Sequence, residues 1–159
     1  MLGRLTRSQI DAVLHESTVG RIGAHADEKT YVVPVTYVYD GDSVYGHSVL
    51  GQKIRMMRAS PEVCFEVDEI DDMANWKSVI AYGRYEELTG DLAIAAAKLI
   101  AARLGPLTTS ETAGPSGRAR GARPQISYRI RLAERTGRYE RATAARAAPR
   151  KRAARKSRG

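Results

Sequence analysis

Residues 44–58 read VYGHSVLGQKIRMMR. Strand-forming residues run from Ser43 to His47 and Ser48, and Gly51 marks the break. Beyond it Ile54 and Met57 stand at helical spacing, with Met56 as a further inward candidate. The stretch reads as a strand, a short junction and a helix over 51–59, closed by Pro61. The first turn of a helix carries N–H groups without intrahelical partners and a partial positive charge. Lys53 adds a full charge there, Arg55 or Arg58 a second, and Ser48 a hydroxyl. Such a set suits a phosphate. Taken alone it equally describes a solvated basic helix face.

Upstream, Thr6 and Gln9 form a capping-box pattern, followed by Ile10, Val13 and Leu14, which predicts a helix over 7–16. Residues 18–24 predict a strand and 27–29 a polar turn. Residues 30–39, TYVVPVTYVY, give the strongest strand signal. Pro34 within it lacks an N–H and marks an edge, a bulge or a ligand-facing break. Asp40, Gly41 and Asp42 predict a hairpin turn into the strand at 43–48.

Downstream, Val63, Phe65 and Val67 alternate on one face, with Cys64 between them as a sheet residue. Residues 68–75 read as an acidic loop and 76–88 as a long strand, in which Gly83 signals a bulge or a close backbone approach. A helix is predicted over 91–104, a loop over 106–124 and a last strand over 125–132. Six strands, mostly in antiparallel hairpins, with two or three flanking helices predict an α+β fold on a closed β-barrel.

The 159 residues suit one domain, and a hydrophobic fraction of 43% is that of an ordinary globular chain. The net charge of +8 is localised. From Arg138 onward nine Arg and Lys face one acid, Glu140, which leaves residues 1–137 with equal numbers of basic and acidic side chains. Residues 1–138 are therefore read as the domain and 139–159 as a disordered basic tail. Weak, sequence-independent polyanion binding is expected of the tail alone. One cysteine excludes an intrachain disulfide. The opening residues carry no apolar leader, and no apolar run approaches the roughly 20 residues of a membrane helix. A cytoplasmic location is expected. His15 and His25 lack metal-ligand spacing, and no metal site is predicted.

His47-Ser48-x-x-Gly51-x-Lys53, followed by Met57-Arg58-x-x-Pro61-x-Val63-x-Phe65, resembles the flavin-phosphate segment of the pyridoxamine 5′-phosphate oxidase-like split-barrel family. The likeness is closest to its nitroimidazole-reductase branch. Pro34-Val35-Thr36-Tyr37 resembles the strand whose backbone runs along the isoalloxazine edge. Trp76 to Ile80 with Gly83-Arg84 resembles the central strand, and Tyr128 to Ile130 with Thr136 to Arg138 the last one.

The resemblance implies FMN as cofactor, bound in a groove between two subunits of a homodimer. It places Lys53 on the FMN phosphate, helped by Ser48 and the Gly51-Gln52 backbone. Pro34, Val35, Thr36 and Tyr37 would contact the ring, with Trp76 and Ser78 beside it, and His47 would line the active site as the catalytic residue. A nicotinamide donor would reduce the flavin and a small acceptor, in a pocket lined by Tyr31, Tyr37, Tyr39 or Tyr45, would take the electrons. The oxidases proper hold pyridoxal phosphate with a C-terminal Trp and Arg, whereas this chain's one Trp is Trp76. Oxidation of pyridoxamine phosphate is therefore not expected. The alternatives are a non-catalytic flavin- or haem-binding module, an enzyme using the deazaflavin F420, and a nucleic-acid-associated protein acting through its tail.

Overall fold

The Thr6 capping box forms as read. Its hydroxyl accepts from the Gln9 N–H, and the Gln9 side chain accepts from the Thr6 N–H at 2.8 Å. It starts α1 (Arg7–Glu16), which buries Ile10, Val13 and Leu14. The computed structural model describes residues 1–105 and 124–143. Within them eight strands form one antiparallel sheet: β1 (Leu2–Arg4), β2 (Val19–Ala26), β3 (Lys29–Thr36), β4 (Val38–Tyr39), β5 (Ser43–Val49), β6 (Glu62–Asp72), β7 (Asn75–Glu87) and β8 (Gln125–Glu140). Two further helices are α2 (Gln52–Ala59) and α3 (Gly90–Leu104).

The sheet order is β3-β2-β6-β7-β8-β5-β4, with β1 added along β8. β3 and β4 are consecutive in the chain yet lie at opposite ends of this order. The sheet therefore curls round, and the chain crosses from one edge to the other at Tyr37. No ladder joins β3 to β4 among the described residues, so the barrel is split rather than closed. The inner face of the curl holds Ile22, Phe65, Val67, Val79, Ala81 and Ile130, all at most 1% exposed, packed with α1 and with Ile54 and Met57 of α2. A smaller cluster, Val38, Ile100 and Leu104 with Tyr45 against it, seats α3 on β4 and β5.

Four expectations are corrected. The predicted six strands are eight, because the single strand at 30–39 breaks into β3 and β4 where the chain changes edge, and because β1 adds to β8. The acidic loop at 68–75 is strand and turn: β6 continues to Asp72, and its last three residues, Ile70 to Asp72, are exposed to water. The last strand runs well past 132, to Glu140, since β7 and β1 flank it on either side. Tyr139 and Glu140, read as the start of a disordered tail, thus belong to that strand. The predicted loop from 106 and the rest of the tail lie outside the described residues, apart from Pro124 and residues 141–143.

Pro34 falls on β3, an edge strand paired with β2 alone. The missing N–H therefore costs no second ladder bond. Tyr37 closes the seam: its hydroxyl donates to the Leu14 carbonyl at 2.9 Å, and its ring meets Phe65 edge-on at 4.8 Å. Burial pushes its phenol above the usual range, so it stays a donor. Tyr37→Phe is expected to cost about 1 kcal/mol in urea unfolding, the net worth of one buried hydrogen bond plus the unpaired carbonyl it leaves.

Candidate functional site

The β5–α2 corner gathers five of the predicted site residues. His47 and Ser48 end β5, and Gly51 is the N-cap of α2, in extended conformation and without a side-chain cap. Gln52 and Lys53 fill the first turn, whose N–H groups thus meet no capping oxygen from a side chain. A feature not read from the sequence sits beneath them. Tyr128 of β8 pairs with Gly46 of β5 and is 2% exposed. A Cβ on Gly46 would come within 2.6 Å of the Tyr128 hydroxyl, so only glycine admits that ring. The Lys53 ammonium lies 5.7 Å from the Tyr128 ring centroid, within reach of a cation–π attraction. The sequence placed Tyr128 in the last strand, and nothing in a strand pattern distinguishes a ring under a lysine from ordinary core.

Lys53 is half-buried and has no carboxylate partner among the described residues. Burial lowers its pKa from the ordinary lysine value. Its desolvation is therefore uncompensated, and an anion in front of it would offset that cost. His47 also has a lowered pKa, first from burial and second from the Lys53 charge. A histidine held below its ordinary 6.5 is mostly neutral at pH 7. Lys53→Ala is expected to raise the His47 pKa, since one of its two depressing causes is removed. An NMR titration of the imidazole checks this, and an unmoved midpoint would show that the two side chains do not interact.

The basic partners suggested for Lys53 do not both remain free. Arg58 forms a two-pronged pair with Glu87, with Nη2 to Oε2 at 3.1 Å. The Tyr85 hydroxyl also donates to Glu87. Arg55 is exposed and makes no ion pair among the described residues. The Ser48 hydroxyl donates to the Val49 carbonyl at 3.0 Å, leaving its oxygen free to accept.

The other predicted residues lie on the sheet. Pro34 and Thr36 point outward and are exposed, whereas Val35 and Tyr37 are buried in the core. Tyr37 can offer a ligand its backbone but not its ring. Tyr39 is likewise buried, its hydroxyl donating to Asp11 and close to the Gly41 carbonyl. Tyr45 packs under α3, and Tyr31 alone of the four tyrosines sits half-buried on the edge strand. Trp76 donates its indole N–H to Glu140 at 3.2 Å. Ser78 reaches Glu66 at 3.5 Å, and Glu66 with Asp68 holds Arg21, the register partner of Pro34. Ser78 and Pro34 thus belong to one polar network on the outer face of the sheet, and no described contact joins that network to the Lys53 corner. A cleft of about 320 Å³ elsewhere, between α1, β4 and α3, is lined by His15, Tyr39 and Arg103. No group of His, Cys, Asp and Glu suited to a metal occurs among the described residues.

A sequence profile of the Pyridoxamine 5′-phosphate oxidase family matches residues 6–139. The chain belongs to that family. The match takes in every predicted site residue and most of the sheet. Among solved structures, a FAD-binding protein from Mesorhizobium loti is 32% identical. That likeness covers 87% of this chain and 98% of the other at a TM-score of 0.72. A proposed 5-nitroimidazole antibiotic resistance protein from Bacteroides thetaiotaomicron shares the fold at 18% identity, covering 87% of each chain with a TM-score of 0.66. An uncharacterized protein of Rhizobium meliloti (strain 1021) is 36% identical over 84 residues, 53% of this chain. The match spans 56%, about half, of that curated relative's length.

Proposed function

We propose that the chain is a flavoprotein that binds FMN and passes electrons from a nicotinamide donor to a small acceptor. The observation that carries this reading is Lys53: a half-buried ammonium with no carboxylate partner among the described residues, at an uncapped helix start, inside a segment that resembles the family's flavin-phosphate cradle. The name of the Mesorhizobium loti relative, a FAD-binding protein, supports a flavin. FMN and FAD share the riboflavin phosphate that this corner suits.

Lys53 and the first-turn N–H groups of Gln52 and Lys53 would hold the phosphate, with Ser48 as a further hydrogen-bonding group. The outward backbone at Pro34 and Thr36, on an edge strand, is free to meet the ring. The flavin supplies the hydride and electron chemistry, while the protein binds, orients and shields. His47, whose pKa burial and the Lys53 charge lower, would accept or hold a proton beside the cradle.

A homodimer fits the outer face of the sheet. Val32, Gly23, Cys64 and Tyr82 form one register row across β3, β2, β6 and β7, and Ile80 lies in the next. Val32 is 61%, Tyr82 55% and Ile80 40% exposed. A second copy would cover this apolar band, and the Pro34 and Ser78 network beside it, in the same step. No helix among the described residues is long and apolar enough to cross a membrane.

The test is to load the protein with FMN and add NADH or NADPH without oxygen. Bleaching of the flavin bands, followed by recovery on adding a nitroaromatic acceptor, is the expected result. A flavin that binds but is not reduced by either donor points instead to a non-catalytic carrier.

A further inference from the structure

β1 lies along β8 in antiparallel register, with Arg4 directly opposite Arg138. Like charges facing one another across a strand pair are destabilising. Neither guanidinium forms an ion pair among the described residues, and both are exposed. Beside them lies a third arginine of a different kind. The Arg135 side chain is 4% exposed. It donates to the carbonyls of Gly41, Asp42 and Leu132, and meets Asp11 at 3.4 Å. Its Nε is buried without a hydrogen-bond partner. Buried polar atoms are seldom left unpaired, and an exception calls for a cause.

All three arginines line one cleft of about 320 Å³, together with Leu5, Ile10, Thr136 and Gly137. No carboxylate lines it. The space suits a small molecule, and its wall is cationic at Arg4, Arg135 and Arg138 and apolar at Leu5 and Ile10. We propose that the β1–β8 seam is a binding site for a small phosphate-bearing anion, separate from the Lys53 corner. Arg4 and Arg138 clasp the phosphate from two strands, which turns their mutual repulsion into shared attraction. The partly satisfied Arg135 adds a fixed positive field behind them. Arginine suits this role because its planar fork matches phosphate oxygens two at a time.

Pyrophosphate is the probe, titrated calorimetrically at low ionic strength into the full chain, Lys53→Ala, and the double variant Arg4→Gln/Arg138→Gln. The basic tail is common to all three and cancels in the comparison. Saturable binding to the wild type is expected, retained within threefold in Lys53→Ala and weakened at least tenfold in the double variant. Absence of saturable binding to the wild type, or a loss below tenfold in the double variant, overturns the proposal. Loss in Lys53→Ala does so too, by assigning the anion to the α2 corner. Melting curves supply a second readout, and they keep the test valid if binding is lost for want of folding. Without pyrophosphate the double variant should melt no lower than wild type, and pyrophosphate should raise the melting temperature of the wild type and of Lys53→Ala but not of the double variant. A double variant that melts well below wild type without the anion contradicts the repulsion on which the proposal rests. Failure of this site leaves the flavin reading of Lys53 untouched.

Discussion

Lys53→Ala is expected to weaken FMN binding about 10- to 150-fold while leaving the fold intact. A hydrogen bond to a charged group contributes about 1.5–3 kcal/mol, and each 1.4 kcal/mol is tenfold in affinity. The fold should not suffer, because Lys53 has no ion-pair partner among the described residues and its burial already disfavours its charge. Removing it relieves a desolvation cost rather than breaking a bridge. Two further substitutions separate charge from packing. Lys53→Met keeps an apolar stem over Tyr128 and should bind as weakly as alanine, whereas Lys53→Arg should recover part of the affinity. Fluorescence titration of FMN against each variant, with urea unfolding in parallel, reads both quantities. Equal affinity in wild type and Lys53→Ala would remove Lys53 from the phosphate site.

Gly83→Ala is expected to destabilise the protein by about 3 kcal/mol, at the upper end of the cost of overpacking a well-packed interior. The β7–β8 ladder shifts register between Tyr82 and Gly83: Tyr82 pairs with Glu134 and Gly83 with Leu132, so Ala133 is the extra residue of a bulge. There the strands approach so closely that a Cβ at position 83 would stand 2.5 Å from the Arg131 carbonyl oxygen and 2.8 Å from Ile130 Cγ2. A flexible side chain could swing aside, but a backbone carbonyl in the middle of a ladder cannot. Gly51→Ala is the control, since the nearest atom to its added Cβ is 3.8 Å away. Urea unfolding of both variants tests the point, and a loss under 1 kcal/mol at Gly83 would mean that the bulge opens at little cost.

The sequence carried the local elements well where a local cause exists. Thr6 and Gln9 announce α1 because a capping box is a short-range device, and Asp40 to Asp42 announce a turn for the same reason. Gly83 signalled both the bulge and the close approach that occur. The break at Tyr37 was not legible, since residues 30–39 favour strand throughout. What divides them is the curling of the sheet, which makes the chain leave β2 for β5. The length of β8 was hidden because Glu134 to Glu140 are mostly charged and lack an apolar alternation. They are strand because β7 offers a ladder along all of them and β1 a second along Arg138 to Glu140.

In the site, the clustering of His47, Ser48, Gly51, Gln52 and Lys53 followed from sequence adjacency alone. The tertiary partners did not. Tyr128 under Lys53 and Glu87 on Arg58 come from strands far along the chain, and no pattern in residues 44–58 points to them. The same holds for Arg135, which lies beyond the strand predicted over 125–132. Of the four tyrosines offered as alternatives for lining a pocket, Tyr37 and Tyr39 serve the core, since their hydroxyls find partners on or beside α1.

The most direct measurement is the absorption spectrum of the purified protein, taken before and after heat release, with identification of the freed chromophore. The account predicts flavin bands and one FMN released per chain, or stoichiometric uptake of added FMN by a colourless preparation. A colourless protein that takes up no added flavin would contradict it.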